Sequence, residues 1–242
     1  GVVINANGQI DCPAMFFGKS RGTSLGSNTV VQNGDRLFSM RIDGSDGTNL
    51  EQAAIIEVYV DGTVGNNTIP GQFRFMTTTV GDQYATEKMR IDSAGHVTMS
   101  KQSAFSAQTS AALTDIATNA SDNTVKFGTE IYDQNSDFDT STFTFTAPVT
   151  GKYQLNANVF VQNSDASCTY IRVKIATSNR NYVNIIDPEY DADRERDIFV
   201  IAVLADMDAN DTALVQIAQY EGTAQMDVPA STNSIFSGFL AC

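Results

Sequence analysis

The segment from Phe127 to Tyr153, FGTEIYDQNSDFDTSTFTFTAPVTGKY, decides the fold of this chain. Near its end, threonines alternate with apolar residues from Thr142 to Ala147, which is the period of a half-buried β-strand. Pro148 cannot donate a ladder hydrogen bond, and a Val-Thr-Gly turn follows it. The alternation resumes from Tyr153 to Val161. The pattern predicts two antiparallel strands that form a hairpin with one apolar face.

The aromatic, aspartate and glycine residues of the segment stand at intervals that resemble those of the C1q-like branch of the C1q/TNF superfamily. The matching positions are Phe127, Asp133, Phe138, Phe145, Gly151 and Tyr153. Leu155 and Ala157 depart from the pattern, because the family usually has aromatic residues there. The closing Phe-Ser-Gly-Phe, from Phe236 to Phe239, is also typical of C1q-like domains. The resemblance implies a ten-stranded jelly roll whose natural state is a tight trimer.

A trimer of this kind would bury an apolar face of each subunit around a three-fold axis. The resemblance places that face on the strand after the turn and on the closing strand. The residues expected at the trimer interface are Tyr153, Leu155, Ile235, Phe236 and Phe239.

The first hundred residues contain an internal repeat. Met-Arg-Ile-Asp occurs from Met40 to Asp43 and again from Met89 to Asp92, each copy followed by a Gly-containing turn. Each copy is typical of a strand that leads into a tight turn and a second strand. The stretch from Gln72 to Ser100 also resembles the β-rich shaft segments found near the ends of phage tail fibres. The residues that carry this resemblance are Glu87, Met89, Arg90, Ile91, Asp92, Gly95 and Val97.

These patterns predict an all-β chain with two domains. Residues 1–99 form a β-rich, fibre-like or shaft-like region with repeated MRID units, and residues 100–242 form a C1q-like jelly-roll head. Ala111 to Ala117 could form one helical turn instead of a strand. The stretch from Asp197 to Leu204, which is continuously apolar after its first residue, predicts a strand buried on both faces.

The composition excludes several kinds of partner. A formal net charge of -13 and a pI near 4.3 repel nucleic acid and anionic membranes. The longest apolar run, Ile198 to Ala205, is too short to insert across a bilayer. Because the chain begins at Gly1 inside sequence that looks ordered, we expect it to be the C-terminal part of a longer protein, or a processed product.

The sequence offers little for catalysis. His96 is the only histidine, so any mechanism that needs a catalytic histidine must use that one residue. Cys12, Cys168 and Cys242 are scattered, which argues against a disulfide framework and a zinc site, and predicts two buried cysteines with one terminal thiol. Aspartates between Asp206 and Asp211 lack the glycine and glutamate of a calcium-binding EF-hand loop, so they indicate a solvated turn. We expect a non-enzymatic protein with no cofactor and no metal site.

An acidic stretch, DPEYDADRERD, begins at Asp187 and places alternate carboxylates on one face of an extended segment. It could be a divalent-cation loop, a receptor-contact loop with Tyr190 at its tip, or a charged, mobile surface loop. As a receptor-binding loop, its candidate residues are Asp187, Glu189, Tyr190, Asp191 and Asp193.

The two resemblances together favour a virion structural protein: a trimeric fibre or knob on the surface of a phage particle that attaches it to the host. The expected partners are two further copies of the chain, other virion proteins at the N-terminal end, and a glycan or protein receptor on the host. The alternatives are a capsid decoration or cement trimer and a glycan-depolymerising tailspike.

Overall fold

A computed structural model describes residues 15–188 and 192–242. The described residues form β-strands, turns and irregular segments with no helix, which confirms the prediction of an all-β chain. None of them belongs to a helix of the length and hydropathy needed to span a membrane. The chain divides into two compact units, Gly1–Ser100 and Lys101–Cys242.

The first unit contains one antiparallel sheet in which each strand pairs with the next along the chain. Its strands are β1 (Arg36–Ser45), β2 (Leu50–Val60), β3 (Gly71–Thr77), β4 (Thr86–Ile91) and β5 (Val97–Thr98). The two MRID copies lie in β1 and at the end of β4, and each leads through a turn to a second strand, as predicted. Gly95 has a φ of 90° in the second of these turns, a conformation that glycine adopts without steric cost.

The second unit contains the remaining strands. They are β6 (Ala104–Gln108), β7 (Leu113–Ile116), β8 (Asn123–Thr124), β9 (Thr129–Asp133), β10 (Phe138–Asp139), β11 (Thr144–Thr146), β12 (Gly151–Ser164), β13 (Tyr170–Thr177), β14 (Asn181–Ile186), β15 (Arg194–Met207), β16 (Thr212–Tyr220), β17 (Met226–Val228) and β18 (Ile235–Leu240). The segment Ala111 to Ala117, for which a helical turn was one possibility, holds β7 instead.

Two antiparallel sheets make up this unit and pack face to face as a jelly-roll sandwich. One sheet has the order β10-β11-β16-β13-β14, and β8 pairs with β16. The other has the order β7-β17-β12-β18-β6-β9, and β15 pairs with the free side of β12. The longest strands, β12 and β15, therefore lie side by side at one edge of the second sheet.

The predicted hairpin between β11 and β12 is wrong. β11 pairs with β10 and β16, whereas β12 pairs with β15, β17 and β18 in the opposite sheet. The chain crosses from one sheet to the other around Pro148. Both strands turn an apolar face inward, so their alternation identifies the buried face and carries no information on which sheet holds each strand.

Aromatic rings fill the centre of the sandwich. The ring of Phe105 is stacked on those of Phe138 and Phe145 at 5.0 and 4.7 Å, and meets the edge of Phe236 at 5.0 Å. Gly238 lies beside this cluster, where an added Cβ would come within 2.8 Å of the Phe105 ring. Glycine at this position therefore lets β18 approach the core closely.

Candidate functional site

The sandwich has two ends, which β12 and β15 connect. The strands pair from Gly151 opposite Met207 to Ser164 opposite Arg194. β12 has 14 residues, and at about 3.3 Å per residue it is about 45 Å long. We call the end at Gly151 the base and the end at Ser164 the far end.

Residues 101–103, through which the chain enters this unit, lie at the base. The side-chain amide of Gln102 donates to the carbonyl oxygen of Leu240 at 2.8 Å, and the Leu240 N–H donates to the carbonyl oxygen of Ser103 at 3.0 Å. Leu240 pairs with Tyr153 near the start of β12. The far end is therefore opposite the point where the chain enters.

Loops 165–169 and 221–225 meet at the far end around the buried carboxylate of Asp165. One of its oxygens accepts hydrogen bonds from the Ser167 N–H and hydroxyl at 2.7 and 2.6 Å. The other accepts from the N–H groups of Thr223 and Ala224. Burial raises the pKa of Asp165, but these hydrogen bonds outweigh it and hold the pKa below its ordinary value. An ionised Asp165 therefore fixes the two loops to each other.

A third segment, which includes Asp193 and ends where β15 begins, also contacts these two loops. The carboxylate of Asp193, just before β15, accepts a hydrogen bond from the Ala166 N–H at 2.9 Å. Close by, the rings of Tyr170 and Tyr220 are stacked at 5.1 Å. The far end thus presents acidic side chains on loops that hydrogen bonds hold in place, next to an aromatic pair at the ends of β13 and β16.

The sequence of this unit matches the model of a known protein family. The model for the C1q domain matches residues 104–241, which is more than half of the chain. The chain belongs to the C1q domain family. Domains of this family generally form homotrimers and are typically non-catalytic.

Two solved structures are similar to this C1q domain. The globular domain of zebrafish complement 1qA protein is 14% identical, with a TM-score of 0.42, and the match covers 58% of this chain and 98% of that one. Murine APRIL is 10% identical, with a TM-score of 0.41, and the match covers 58% of this chain and 99% of that one. The comparison with curated protein sequences gives no match.

Two of the five predicted receptor-binding residues, Asp187 and Asp193, are described, and both lie at the far end. Asp187 and Asp193 are exposed, and Asp193 makes the hydrogen bond to Ala166 given above. Glu189, Tyr190 and Asp191 lie outside the described residues. The described neighbours on both sides of them therefore belong to the far end of the C1q domain.

The predicted trimer-interface residues divide into two groups. Tyr153, Leu155 and Phe236 have no exposed surface in the single chain, because they belong to the core of their own C1q domain. Their side chains have no area to offer a partner, so this part of the prediction must be revised. Ile235 and Phe239 face away from the core, and Phe239 is about half exposed.

The outward face of β15 is the apolar surface that the sequence analysis missed. Ile198, Val200 and Leu204 are each more than half exposed, whereas Phe199, Ile201 and Ala205 on the inward face are buried. The prediction that this strand is buried on both faces is therefore wrong for a single chain. The signal was present in the uninterrupted apolar run, which is typical of a strand that needs cover on both sides.

The aspartates between Asp206 and Asp211 stabilise a turn. Asp211 accepts a hydrogen bond from the Asp208 N–H at 2.8 Å in the turn between β15 and β16. No group of three or more His, Cys, Asp or Glu residues among those described is arranged to hold a metal ion.

Burial, with the charges of Asp165 and Asp187, raises the pKa of the Cys168 thiol to about 11. Cys168 is buried as predicted, Cys242 is exposed, and Cys12 lies outside the described residues.

Replacing Asp165 with alanine is expected to loosen the far end. The substitution leaves the donors of Ser167, Thr223 and Ala224 without their acceptor, at about 1–3 kcal/mol for each one that stays buried. Hydrogen exchange at the Thr223 and Ala224 amides should become much faster. The control is Asp139→Ala, because Asp139 bonds to Ser141 in the same way but is exposed. Equal protection of the two amides in wild type and Asp165→Ala would contradict this role.

The low pKa of Asp165 adds a pH dependence to this prediction. A carboxylate whose folded pKa is below its unfolded value, about 3.9, stabilises the fold above that value and ceases to do so as the pH falls through the folded pKa. The unfolding free energy of the wild type should therefore decrease below about pH 5, and by less in Asp165→Ala. Urea unfolding at pH 7 and pH 3 measures the difference.

Proposed function

We propose that this chain is a virion structural protein, a trimeric fibre or knob on the surface of a phage particle, and that the far end of its C1q domain attaches the particle to the host. The observation that carries the proposal is the position of the far end. Its loops are opposite the base at which the chain enters, so anchoring through the N-terminal part leaves them free to meet another surface.

The trimeric state is supported by the outward face of β15. A row of exposed apolar residues along one strand is the kind of surface that an obligate interface covers. The family generally forms homotrimers. In the proposed trimer, Ile198, Val200 and Leu204 take the role that sequence analysis gave to Tyr153, Leu155 and Phe236, while Ile235 and Phe239 keep theirs.

The phage assignment is supported by the N-terminal unit. Its MRID repeats, which resemble fibre-shaft segments, lie in β1 and β4 of a sheet of paired neighbouring strands. We propose that this unit leads toward the other virion proteins and that the C1q domain is the outer part. The proposed partner of the far end is a glycan or protein receptor, for which Asp187, Asp193 and the three residues Glu189, Tyr190 and Asp191 are the candidate contacts.

Replacing Glu189, Tyr190 and Asp191 together with alanine is expected to reduce host adsorption at least tenfold while the trimer stays intact. Aromatic anchors and well-placed charges typically supply most of the energy at such contacts. Adsorption of the purified protein to host cells measures the effect, and sedimentation checks the trimer. The control is Asp208→Ala, which removes an exposed carboxylate at the base.

The same assay distinguishes the alternative functions. Unchanged adsorption by the intact triple variant removes this segment from the proposal. A wild-type trimer that binds neither host cells nor purified host glycans favours a capsid decoration or cement protein. Loss of viscosity from host polysaccharide favours a tailspike.

A further inference from the structure

The sheet of the N-terminal unit has one face built almost wholly from apolar residues, with a lysine only at its margin. Residues that pair directly across antiparallel strands lie on the same face, so the register defines it. This apolar face consists of Phe38, Met40, Ile42, Ala54, Ile56, Val58, Phe73, Phe75, Thr77, Thr86, Met89, Ile91 and Val97. It extends across all five strands of the sheet.

The opposite face carries the charges and satisfies them locally. Glu57 is almost fully buried and accepts hydrogen bonds from Arg36 and from the Tyr59 hydroxyl, both at 2.7 Å. Glu87 pairs with Arg90 at 2.8 Å and with Arg74 at 3.5 Å. This face is suited to water, because its ionic groups have partners without help from another chain. The apolar face is therefore the one that requires cover.

Much of the apolar face is exposed in the described chain. Met40 is 43% exposed and Val97 is 54% exposed, although they lie on strands near opposite edges of the sheet. A described aromatic residue, Phe17, covers one corner, with its ring 4.7 Å from that of Phe38. A single sheet buries its apolar face against another layer in stable proteins. An exposed face of this size marks an interaction surface.

We infer that this face is covered by the same face of two further copies of the chain, so that the N-terminal sheets form a second trimer contact in addition to that of the C1q domains. The inference rests on the proposed trimer. β5 ends at Thr98 and β6 begins at Ala104, so a short connection ties each sheet to its C1q domain. Because each sheet is joined to a C1q domain of the same trimer by such a short connection, the effective concentration of one sheet for the next is about millimolar.

The composition of the face fits a copy of itself better than a different partner. The residues that form it carry no charge, and the one charged group at its margin is Lys88, whose ammonium bonds to Thr86 and Thr79. Like faces therefore meet with little repulsion, although each chain has a net charge of -13. A three-fold ring joins two different patches of each subunit. The two MRID copies provide these two patches. Met40 and Ile42 lie near one edge of the face, and Met89 and Ile91 lie near the other.

Methionine oxidation tests the inference on the unmodified protein. Oxidation by dilute peroxide follows exposure, so an uncovered Met40 should react within a few-fold of free methionine, and a covered one at least about tenfold more slowly. Mass spectrometry of the wild-type protein, at a concentration where sedimentation shows a trimer, gives the rate. We expect Met40 to be protected.

A matched pair of variants identifies what covers the face. Val97 and Thr98 are adjacent and exposed, but Val97 is on the apolar face and Thr98 is on the charged face opposite Arg90. Val97→Glu would bury an unpaired charge between the sheets, so it should raise the oxidation rate of Met40 about tenfold. Thr98→Glu should leave Met40 protected.

The outcomes separate the inference from the proposed function. A trimer in which Met40 oxidises as fast as free methionine overturns the inference and leaves the proposed function standing. A wild-type chain that sediments as a monomer overturns the proposed trimer, and the inference with it. Protection of Met40 in such a monomer means that the chain covers its own face, which also overturns the inference. The inference is supported if Met40 is protected from oxidation in the wild-type trimer and in Thr98→Glu, but not in Val97→Glu.

Discussion

Val200→Glu is expected to convert the assembled protein into a folded monomer. Val200 is 53% exposed on the outward face of β15, so a single C1q domain accommodates a glutamate there in contact with water. In the proposed trimer the same side chain enters an apolar interface, where an unpaired carboxylate costs several kcal/mol in each copy. Dissociation relieves that cost because the carboxylate returns to water.

Val149→Glu is the matched control for this variant. It makes the same substitution at a valine that is 47% exposed, in the connection between β11 and β12 and away from the outward face of β15. Sedimentation equilibrium at micromolar concentration should show a monomer for Val200→Glu and a trimer for wild type and Val149→Glu. Circular dichroism should show a β-sheet spectrum for all three. A trimeric Val200→Glu would contradict the placement of the interface on β15.

Phe236→Ala is expected to lower the unfolding free energy of the C1q domain by about 3–5 kcal/mol, the usual cost of removing a buried phenylalanine side chain. Phe236 is fully buried, and its ring contacts those of Phe105, Phe127 and Phe138. The neighbouring rings are held by both sheets, so they cannot close the cavity completely.

Urea unfolding measures this effect most cleanly in the monomeric Val200→Glu background, because association would otherwise add to the apparent stability. Phe239→Ala on the same strand is the control. Phe239 is 47% exposed, so in the monomer its replacement should cost less than about 1 kcal/mol. Equal losses from the two variants would show that Phe236 is not part of a well-packed core.

The comparison of these two phenylalanines explains how far the sequence could predict the interface. Alternation along β18 correctly separates inward from outward residues, since side chains in a strand point to opposite faces. It does not state whether an apolar residue packs in its own subunit or against another. The family resemblance places Tyr153, Leu155 and Phe236 at the trimer interface, and their burial within one chain shows that they belong to the subunit core.

The sequence also could not predict which strands pair with each other. The C1q family and the all-β fold could be predicted, because the aromatic and glycine spacing between Phe127 and Tyr153 is a local property of the sequence. The pairing of β12 with β15 joins residues far apart in the chain, such as Gly151 and Met207. The meeting of loops at Asp165 also depends on such distant contacts, with Thr223 and Ala224. No local pattern encodes either of them.

The arrangement at the base has a consequence for the evolution of the proposed host-attachment function. Residues 101–103 and 240–242 lie side by side there, since Gln102 bonds to Leu240 and the Lys152 N–H donates to the carbonyl oxygen of Cys242. A domain whose two termini emerge together can be exchanged by recombination as one cassette, because a single junction region has to be rejoined. In the proposed attachment protein, replacement of the whole domain would then change the receptor that is bound and leave the preceding sheet intact.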